Sequence, residues 1–287
     1  MSVDKRQKSP FPSARQAALS AQLHIDSPQC RSASYKLAFQ DPDFLLKDEL
    51  RPVRLQLELL KPELILQEQH IESTVVIYGS ARIKDPETAE TQLVSAQAEY
   101  NKSKDDPLAA KRVASARRTL ENSRYYDEAR KLGHLISSNT GIDKLVVVTG
   151  GGPGIMEAAN RGAKEADGVS VGLAIELPHE HGPNPYVDIA QFFRYFFVRK
   201  VMFVKYAQGF IALPGGFGTM DELFEVLTLL QTKKLAKEIS ILIYGREYWN
   251  EIINFRKFVE WGTISEEDYN LVHFADTVDE AFKFLTE

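Results

Sequence analysis

The amino-acid sequence predicts an α/β protein built on a doubly wound parallel sheet. Apolar stretches of strand length alternate with longer amphipathic stretches, which is the pattern of successive βα units. The apolar stretches are hydrophobic throughout, as expected for strands that are buried on both faces of a sheet. Glycine clusters follow several of them, and ligands bind at the carboxyl ends of the strands in such sheets. We therefore expect a Rossmann-like domain with an N-terminal helical extension and a helical hairpin insertion.

Composition divides the protein into three predicted parts. Residues 1–40 are rich in Ser, Gln, Ala and Pro, which predicts a flexible N-terminal arm with a short helix over 13–22. Leucines recur at near-helical spacing over residues 41–70, interrupted by Pro52 and Pro62, and predict an N-terminal helical layer. Residues 71–287 form the predicted Rossmann-like domain.

Five strands are predicted in this domain. A β-branched run that ends at Gly79 predicts the first strand. Similar runs end at or near glycines elsewhere. The predicted strands cover residues 74–78, 144–149, 170–175, 209–213 and 239–244.

Helices are predicted between and after these strands. The charged, alanine-rich stretch 87–139 is broken at Asp105-Asp106-Pro107 and predicts the two helices of the inserted hairpin. Residues 265–268 and 277–280 carry capping signals before two last helical pieces. The remaining helices are predicted from Glu157, over the aromatic segment 192–206, from Thr219 to Leu230, and over 248–259.

Composition argues against several classes of function. The net charge is -5 and no face rich in Lys or Arg is apparent, so we expect no nucleic-acid partner. The single cysteine, Cys30, allows neither an intrachain disulfide nor a multi-cysteine metal site. The N-terminus lacks an apolar signal region, and no apolar run approaches the roughly 20 residues of a membrane helix. These features predict a cytoplasmic protein with no membrane partner.

The segment 208–225 carries the strongest functional signal. A buried strand runs into Pro214 and a glycine-rich loop, and a helix follows. The first N–H groups of a helix have no internal acceptor and the helix dipole adds partial positive charge, so the loop predicts a monophosphate site assisted by the Thr219 hydroxyl. No Gly-Lys-Ser/Thr follows, which excludes a Walker loop. Glu222 lies one turn into the helix and predicts an acid beside the ligand, whereas Asp221 is better interpreted as complementing the helix dipole.

Another glycine cluster covers residues 150–154. It follows a strand and precedes a helix, but its spacing does not match G-x-G-x-x-G/A, and no acid lies where a ribose ligand would be expected. An NAD-type site is therefore not expected. Four glycines in five positions exceed the needs of a tight turn. We favour the approach of a phosphate or a ribose over a turn alone.

Two further polar groups are ambiguous or uninformative by themselves. Arg199 and Lys200 lie in an aromatic stretch, where snorkelling and ligand binding are equally good interpretations. His179-Glu180-His181 lacks the spacing of a helical zinc motif, so no metal site is expected. No nucleophile elbow is present.

Three separated motifs together resemble the LOG (LONELY GUY) family, whose older label is lysine-decarboxylase-like. They are T-G-G-G-P-G-I-M-E-A-A-N-R-G at 149–162, the R-K pair at 199–200 and P-G-G-F-G-T-M-D-E at 214–222. The resemblance covers about residues 71–244 and is to the longer bacterial members. It implies a phosphoribohydrolase that converts a nucleoside 5′-monophosphate (a cytokinin riboside monophosphate or AMP) and water to free base and ribose 5-phosphate. No metal or organic cofactor is implied, and no pyridoxal-binding lysine is marked.

The resemblance also implies roles for individual residues. Arg199 and Glu222 are implied to be the catalytic pair. The segment that precedes Arg199 is F-R-Y-F-F-V in place of a more usual histidine-containing segment, which bears on base preference more than on the reaction. The positions implied to bind the nucleotide are Ser80, Arg82, Gly151, Gly152, Gly154, Met156, Glu157, Glu180, Lys200, Gly215, Gly216, Phe217, Gly218, Thr219, Met220, Asp221 and Thr228.

Two other functions fit the same motifs. One is a nucleotide-binding sensor or carrier that does not turn its ligand over. The other is a nucleosidase for a broad set of nucleotides, regulated through the added helices. The aromatic residues over 192–197 are too many for one side of a single helix, so we also expect a homo-oligomer, with a dimer favoured.

Overall fold

Seven parallel strands form one sheet in the order β4-β3-β2-β1-β5-β6-β7. The doubly wound parallel sheet predicted from the sequence is confirmed. The two strands that were not predicted, β4 and β7, lie at its edges. The strands are β1 (Ser73–Tyr78), β2 (Leu145–Thr149), β3 (Ser170–Ile175), β4 (Ile189–Phe193), β5 (Ala207–Ala212), β6 (Ser240–Tyr244) and β7 (Val272–Ala275).

The computed structural model describes residues 11–22, 26–139, 144–177 and 182–286. The protein divides into two compact units, with the division after Leu60. The helices that accompany the sheet in the second unit are α4 (Pro86–Lys102), α5 (Pro107–Asn122), α6 (Arg124–Ser138), α7 (Ile155–Glu165), α8 (Phe196–Tyr206), α9 (Phe217–Gln231), α10 (Arg246–Ile252), α11 (Phe255–Glu260), α12 (Glu266–Tyr269) and α13 (Val278–Thr286).

The first unit contains only helical elements among its described residues. Its first helix, α1 (Ala14–Ala21), begins with a capping box formed by Ser13 and Gln16, close to the predicted position. A short α2 (Pro42–Leu45) follows, and α3 (Arg51–Glu68) begins in this unit and ends in the second. The helix α3 continues through Pro62, where the sequence predicted an interruption. Pro62 is buried, and such packing offsets the roughly 3 kcal/mol that an interior proline costs. None of the helices in the described part of the protein is long and apolar enough to cross a membrane.

The order of the strands reverses at β1. The sequence adds β2, β3 and β4 on one side of β1, and α8 then returns it to β5 on the other side. Two backbone hydrogen bonds continue the β1–β5 pairing beyond the strands: Leu213 N–H donates to the Tyr78 carbonyl (2.9 Å) and Ser80 N–H to the Pro214 carbonyl (3.0 Å). A reversal of this kind opens a crevice at the carboxyl ends of the two strands. The loops after β1 and β5 therefore meet at the position where such sheets bind ligands.

Both faces of the sheet are covered, as the apolar strands require. Val75 and Ile77 on β1 belong to a core cluster shared with α6 and α7. Tyr78 points to the opposite face, where its ring stacks on Phe210 of β5 and meets the edge of Phe203 of α8. Burying each such side chain stabilises the fold by about 1.5–3 kcal/mol. The alternation along β1 thus places Tyr78 beside α8 at the end of the strand.

Three helices, rather than the predicted two, occupy residues 87–139. The helices α4 and α5 form the predicted hairpin, but α5 ends at Asn122, and Ser123 connects it to α6 without a proline or glycine. The helices α6 and α7 pack closely at Gly162. A Cβ atom added to this residue would lie only 1.8 Å from the Arg130 carbonyl oxygen. Of the three helices, α6 serves as the crossover helix between β1 and β2, and the inserted hairpin is the shorter segment α4–α5.

Other element boundaries differ from the prediction for local reasons. Phe192 and Phe193 belong to strand β4, so the aromatic helix α8 begins only at Phe196. The predicted helix over 248–259 is two helices, because the Asn254 side chain accepts from the Lys257 N–H and starts α11. The helix α9 begins at Phe217, two residues before the predicted Thr219. The predicted domain boundaries at residues 40 and 70 stay predictions.

Candidate active site

A cavity of about 800 Å³ opens at the reversal between β1 and β5. The loops after these strands form its floor, and α8, α9 and α10 contribute side chains. It brings together eleven of the residues that the sequence assigned to the site: Ser80, Arg82, Met156, Arg199, Gly215, Gly216, Phe217, Gly218, Thr219, Met220 and Glu222.

An ion pair between Arg199 and Glu222 lies at the centre of this set. The Arg199 Nη2 donates to Glu222 Oε1 at 2.7 Å, and the two side chains are 13% and 7% exposed. The guanidinium lies over the rings of Phe196 (5.1 Å) and Phe203 (5.4 Å), which fix its plane. Its Nε is buried and has no hydrogen-bond partner among the described residues. One oxygen of the Glu222 carboxylate, Oε1, is therefore hydrogen-bonded within the pair. The Nε–H group of Arg199 is a buried donor without a partner among the described residues.

Burial is the main influence on the charge of Glu222. It raises the pKa of this carboxyl above the usual value, because a carboxylate loses solvation in an apolar surrounding. The charges of Arg199 and Lys200 and the hydrogen bond from Arg199 oppose the rise, and the charge of Asp221 adds to it. A carboxyl with a raised pKa can accept or release a proton nearer to neutral pH than an ordinary glutamate.

The glycine loop before α9 is shaped by its neighbours. A Cβ atom on Gly215 would lie 2.1 Å from Thr219 Oγ1, so only glycine fits there. The Tyr248 hydroxyl donates to the Gly215 carbonyl at 2.6 Å and holds the loop from the side of α10. A Cβ atom added to Gly216 or Gly218 would meet no protein atom within 4 Å, so the backbone there is open to a ligand. The first N–H groups of α9 thus lie at the cavity without intrahelical acceptors.

The glycine cluster at 150–154 has a packing role in this structure. Gly151 and Gly154 have positive φ, and a Cβ atom on Gly154 would lie 2.4 Å from the Ser80 carbonyl oxygen. The Asn184 amide donates to the carbonyls of Gly151 (3.1 Å) and Gly152 (3.0 Å). Glu157 accepts from the Tyr126 hydroxyl. Among the described residues, these three glycines and Glu157 do not line the cavity. Their contact with a ligand stays a prediction.

Three other predicted site residues, Lys200, Asp221 and Thr228, do not line the cavity. Lys200 Nζ binds Asp221 (2.8 Å) and reaches Glu225 (3.5 Å) along the side of α9. Thr228 lies further along α9 and donates to the Phe224 carbonyl. The predicted residue Glu180 and its two histidine neighbours lie outside the described residues. Among the residues that the structure does describe, no group of three His, Cys, Asp or Glu side chains is arranged to hold a metal ion.

Sequence reasoning missed two tyrosines of the cavity. Tyr248 follows Gly245 in a short helix, and nothing in its local pattern indicates that it supports the glycine loop. Tyr78 ends β1 and lines the cavity beside Arg199. A signal for Tyr78 existed, since residues at the carboxyl ends of parallel strands face the ligand crevice. A tyrosine in a β-branched run is, however, more commonly part of the core.

Comparisons with known proteins find relatives among plant enzymes of one described activity. The family profile described as "Possible lysine decarboxylase" matches residues 156–285. A cytokinin riboside 5′-monophosphate phosphoribohydrolase of Arabidopsis thaliana is 32% identical over 177 residues, which cover 58% of this chain and 77% of that protein. A probable enzyme of the same description from Oryza sativa subsp. japonica is 32% identical over 149 residues, covering 50% of this chain and 64% of that protein.

Similarities to solved structures are more distant. The molybdenum cofactor binding protein from Rippkaea orientalis is 20% identical, with a TM-score of 0.44, and the match covers 74% of this chain and 93% of that protein.

The fold and the cavity define a doubly wound α/β protein whose switch-point crevice combines an open helix N-terminus with a buried Arg–Glu pair. By its similarity to the plant phosphoribohydrolases, the protein belongs to the LOG family.

Proposed function

We propose that this protein is a phosphoribohydrolase, which hydrolyses the N-glycosidic bond of a nucleoside 5′-monophosphate to free base and ribose 5-phosphate. The observation that carries the proposal is the buried Arg199–Glu222 pair, placed in one cavity with the N-terminus of α9. Cytokinin riboside monophosphates and AMP are the proposed substrates, by analogy with the relatives' described activity and the resemblance of the motifs.

The phosphate is proposed to bind at the start of α9. Gly216, Phe217 and Gly218 are exposed at the cavity, and their backbone can approach a phosphate without a side chain of the loop between them. The dipole of α9 favours negative charge at this end, and an anion there forms several backbone hydrogen bonds. The buried Arg199 Nε can add a charge-assisted hydrogen bond to an oxygen of the ligand.

Glu222 is proposed to act at the sugar. Cleavage of the bond between C1′ and the base nitrogen passes through an oxocarbenium-like state, which a nearby carboxylate stabilises. The base leaves with the bonding electron pair and takes up a proton, while water supplies the hydroxyl group that C1′ gains. Glu222 can accept the proton of that water. Arg199 opposes the effect of burial on the Glu222 pKa, and so favours the carboxylate form, and it holds the side chain in one orientation.

Base release tests this proposal directly. Purified protein is incubated with AMP and with a cytokinin riboside monophosphate, and free base and ribose 5-phosphate are measured by chromatography. We expect equal amounts of both products from at least one substrate, and little release from adenosine, which lacks the phosphate. Glu222→Gln keeps an acceptor for Arg199 and is expected to lower kcat by about 10²–10⁴-fold.

Glu225→Gln is the matched control on the same helix. Glu225 reaches only Lys200, at 3.5 Å, and does not line the cavity among the described residues. We expect its activity to stay near that of the wild type.

The proposal is wrong if the wild type binds nucleoside monophosphates that remain intact and Glu222→Gln does not differ from it. That outcome would identify a nucleotide sensor or carrier. Similar rates for purine and pyrimidine monophosphates would identify a broad-specificity nucleosidase.

A further inference from the structure

Tyr78 is a buried tyrosine whose hydroxyl group has no hydrogen-bond partner among the described residues. The residue is 6% exposed, ends strand β1 and lines the cavity between β1 and β5. An unpaired buried hydroxyl costs folding free energy, so a phenylalanine at this position would be the more stable choice. A hydroxyl that the fold does not use is a candidate for use by a ligand.

The ring of Tyr78 is held in one position. It stacks on Phe210 with the centroids 5.6 Å apart and an angle of 17° between the planes. It also meets the ring of Phe203 edge to face at 5.4 Å. The same Phe203 ring lies 5.4 Å from the guanidinium of Arg199. Tyr78 and Arg199 therefore pack on one aromatic side chain and share a wall of the cavity.

The surroundings of Tyr78 keep its hydroxyl protonated. Burial raises the pKa of Tyr78 well above its usual value, and the negative charge of Glu222 raises it further. A neutral phenol can donate a hydrogen bond to an oxygen of a ligand.

The geometry points to Tyr78 as a substrate-binding residue that donates a hydrogen bond to the ribose of the bound nucleoside monophosphate. This assignment rests on the proposed function. The phosphate is assigned to the first turn of α9, and Glu222 lies five residues further along that helix, on the order of 7 Å along its axis. A sugar phosphate spans about this distance, so the groups next to Glu222 face the sugar rather than the phosphate. Tyr78 is one of those groups, because it packs on the same Phe203 ring as Arg199, which binds Glu222, and lines the same cavity.

Tyr78→Phe removes the hydroxyl and keeps the ring that packs on Phe210 and Phe203. We expect the variant to melt at the same temperature as the wild type or higher, because it loses an unpaired buried polar group. Its affinity for ribose 5-phosphate, measured by calorimetry, is expected to fall about 10-fold, and its affinity for inorganic phosphate is expected not to change. Its kcat/KM for the hydrolysed nucleotide is expected to fall by about 10- to 100-fold.

Tyr244→Phe is the matched control. Tyr244 is also a buried tyrosine at the end of a strand, but it lines a different cavity. Loss of the Tyr244 hydroxyl group is expected to leave the affinity for ribose 5-phosphate and the kcat/KM for the nucleotide unchanged. The assignment is overturned if Tyr78→Phe binds ribose 5-phosphate as the wild type does, or if Tyr244→Phe loses as much. Calorimetry decides this even if no nucleotide is hydrolysed, so a failure of the proposed function is a separate result.

Discussion

Glu222 combines two opposing effects in one side chain. Burial favours its neutral form, and the adjacent Arg199 favours its carboxylate form. The net result is a raised pKa, so the folded protein binds the proton of Glu222 more tightly than the unfolded protein does. Folding stability from this group is therefore greatest below the ordinary value of 4.5, and it declines as the pH rises through the raised pKa. Ionisation of Glu222 therefore lowers the stability of the fold, and a carboxyl group of this kind in a cavity is a candidate for a functional role.

The charges beside Glu222 allow its pKa to be moved in both directions. Lys200 lowers this pKa and Asp221 raises it. If the carboxylate form is the active one, kcat/KM rises with pH along an acidic limb that lies above pH 4.5. We expect Lys200→Met to move this limb to higher pH and Asp221→Asn to move it to lower pH. A pH profile of kcat/KM for the three proteins measures both shifts.

The opposite signs of the two shifts are the decisive feature of that experiment. Removal of either residue breaks the Lys200–Asp221 ion pair, so an effect of the broken pair alone would move both profiles in the same direction. Parallel shifts, or profiles that do not move, would show that Glu222 is not the group that controls the acidic limb.

The sequence identified the two residues of this pair but not their contact. Arg199 and Glu222 come from motifs 23 residues apart, and snorkelling and ligand binding were equally good interpretations of Arg199. Only the fold brings α8 and α9 together at the end of β5, so that the two charges meet at 2.7 Å. Tyr78 and Tyr248 were missed because a tyrosine in an apolar strand or a short helix has no pattern that separates a ligand-facing position from a core position.

The two glycine-rich loops differ in how much of their structure could be predicted from the sequence. The open backbone before α9 follows from the absence of side chains and from the position of a helix N-terminus, and both are readable in the sequence. In the cluster at 150–154, by contrast, the close approach of Gly154 to the loop after β1 depends on a contact between distant parts of the sequence. Sequence spacing does not distinguish a glycine that admits a ligand from one that admits another loop.

The edge strands and some helix boundaries could not be predicted for a similar reason. In β4 the exposed and buried positions alternate, because one edge of the sheet is only partly covered, and its two phenylalanines continue into an aromatic helix. The end of α5 at Asn122 is marked by neither a proline nor a glycine, so the sequence carries no local signal for it. Strong local signals, such as the β-branched runs of β1 and β2, were sufficient to predict the central strands.

Two neighbouring glycines in the loop before α9 are expected to respond differently to alanine. Gly215→Ala places a methyl group against the buried Thr219 side chain, which is branched and cannot rotate away freely. Such overpacking costs about 1–3 kcal/mol, so the melting temperature should fall. Gly216→Ala meets no protein atom and has a φ of -93°, which any residue adopts, so it should melt like the wild type.

The affinity for ligand is a second property in which Gly215→Ala and Gly216→Ala can be compared. The Gly216 methyl group would lie where a phosphate is proposed to approach, and we expect the affinity for ribose 5-phosphate to fall about 10-fold. Thermal melts and calorimetry on both variants provide the comparison. An unchanged affinity in Gly216→Ala would place the phosphate elsewhere in the cavity.

At the scale of the whole molecule, the sheet order explains why distant motifs converge. The strand order reverses at β1, and the only crevice of this kind in the described sheet lies between the loops that follow β1 and β5. The glycine loop, the Arg–Glu pair and Tyr78 are all elements of that crevice. The doubly wound arrangement was predictable from alternating apolar and amphipathic stretches, which explains why the position of the site could be predicted before its geometry.

Exposed apolar side chains near the cavity support the predicted homodimer. Phe196, Phe197 and Val201 on α8 are 49%, 58% and 51% exposed, and Phe192 on β4 is 72% exposed. Soluble monomers rarely expose apolar patches of this kind, and two-fold dimers bury the same surface on each subunit. We expect light scattering at micromolar concentration to give twice the mass of one subunit. Replacing both Phe197 and Val201 by Asp is expected to give a folded monomer, because a charge at the centre of an apolar interface is costly to bury.

Val94→Asp provides the control for that double variant. Val94 is 59% exposed on α4 of the inserted hairpin, so the change is of the same type on a different surface. It should leave the mass unchanged.

Because Phe196 both belongs to the exposed group and lines the cavity, a dimer that forms through α8 would bring a second subunit close to the mouth of the site. We therefore expect the monomeric double variant to bind ribose 5-phosphate more weakly than Val94→Asp does. A wild-type protein that is monomeric at this concentration, or a double variant that remains dimeric, would show that α8 is not the interface.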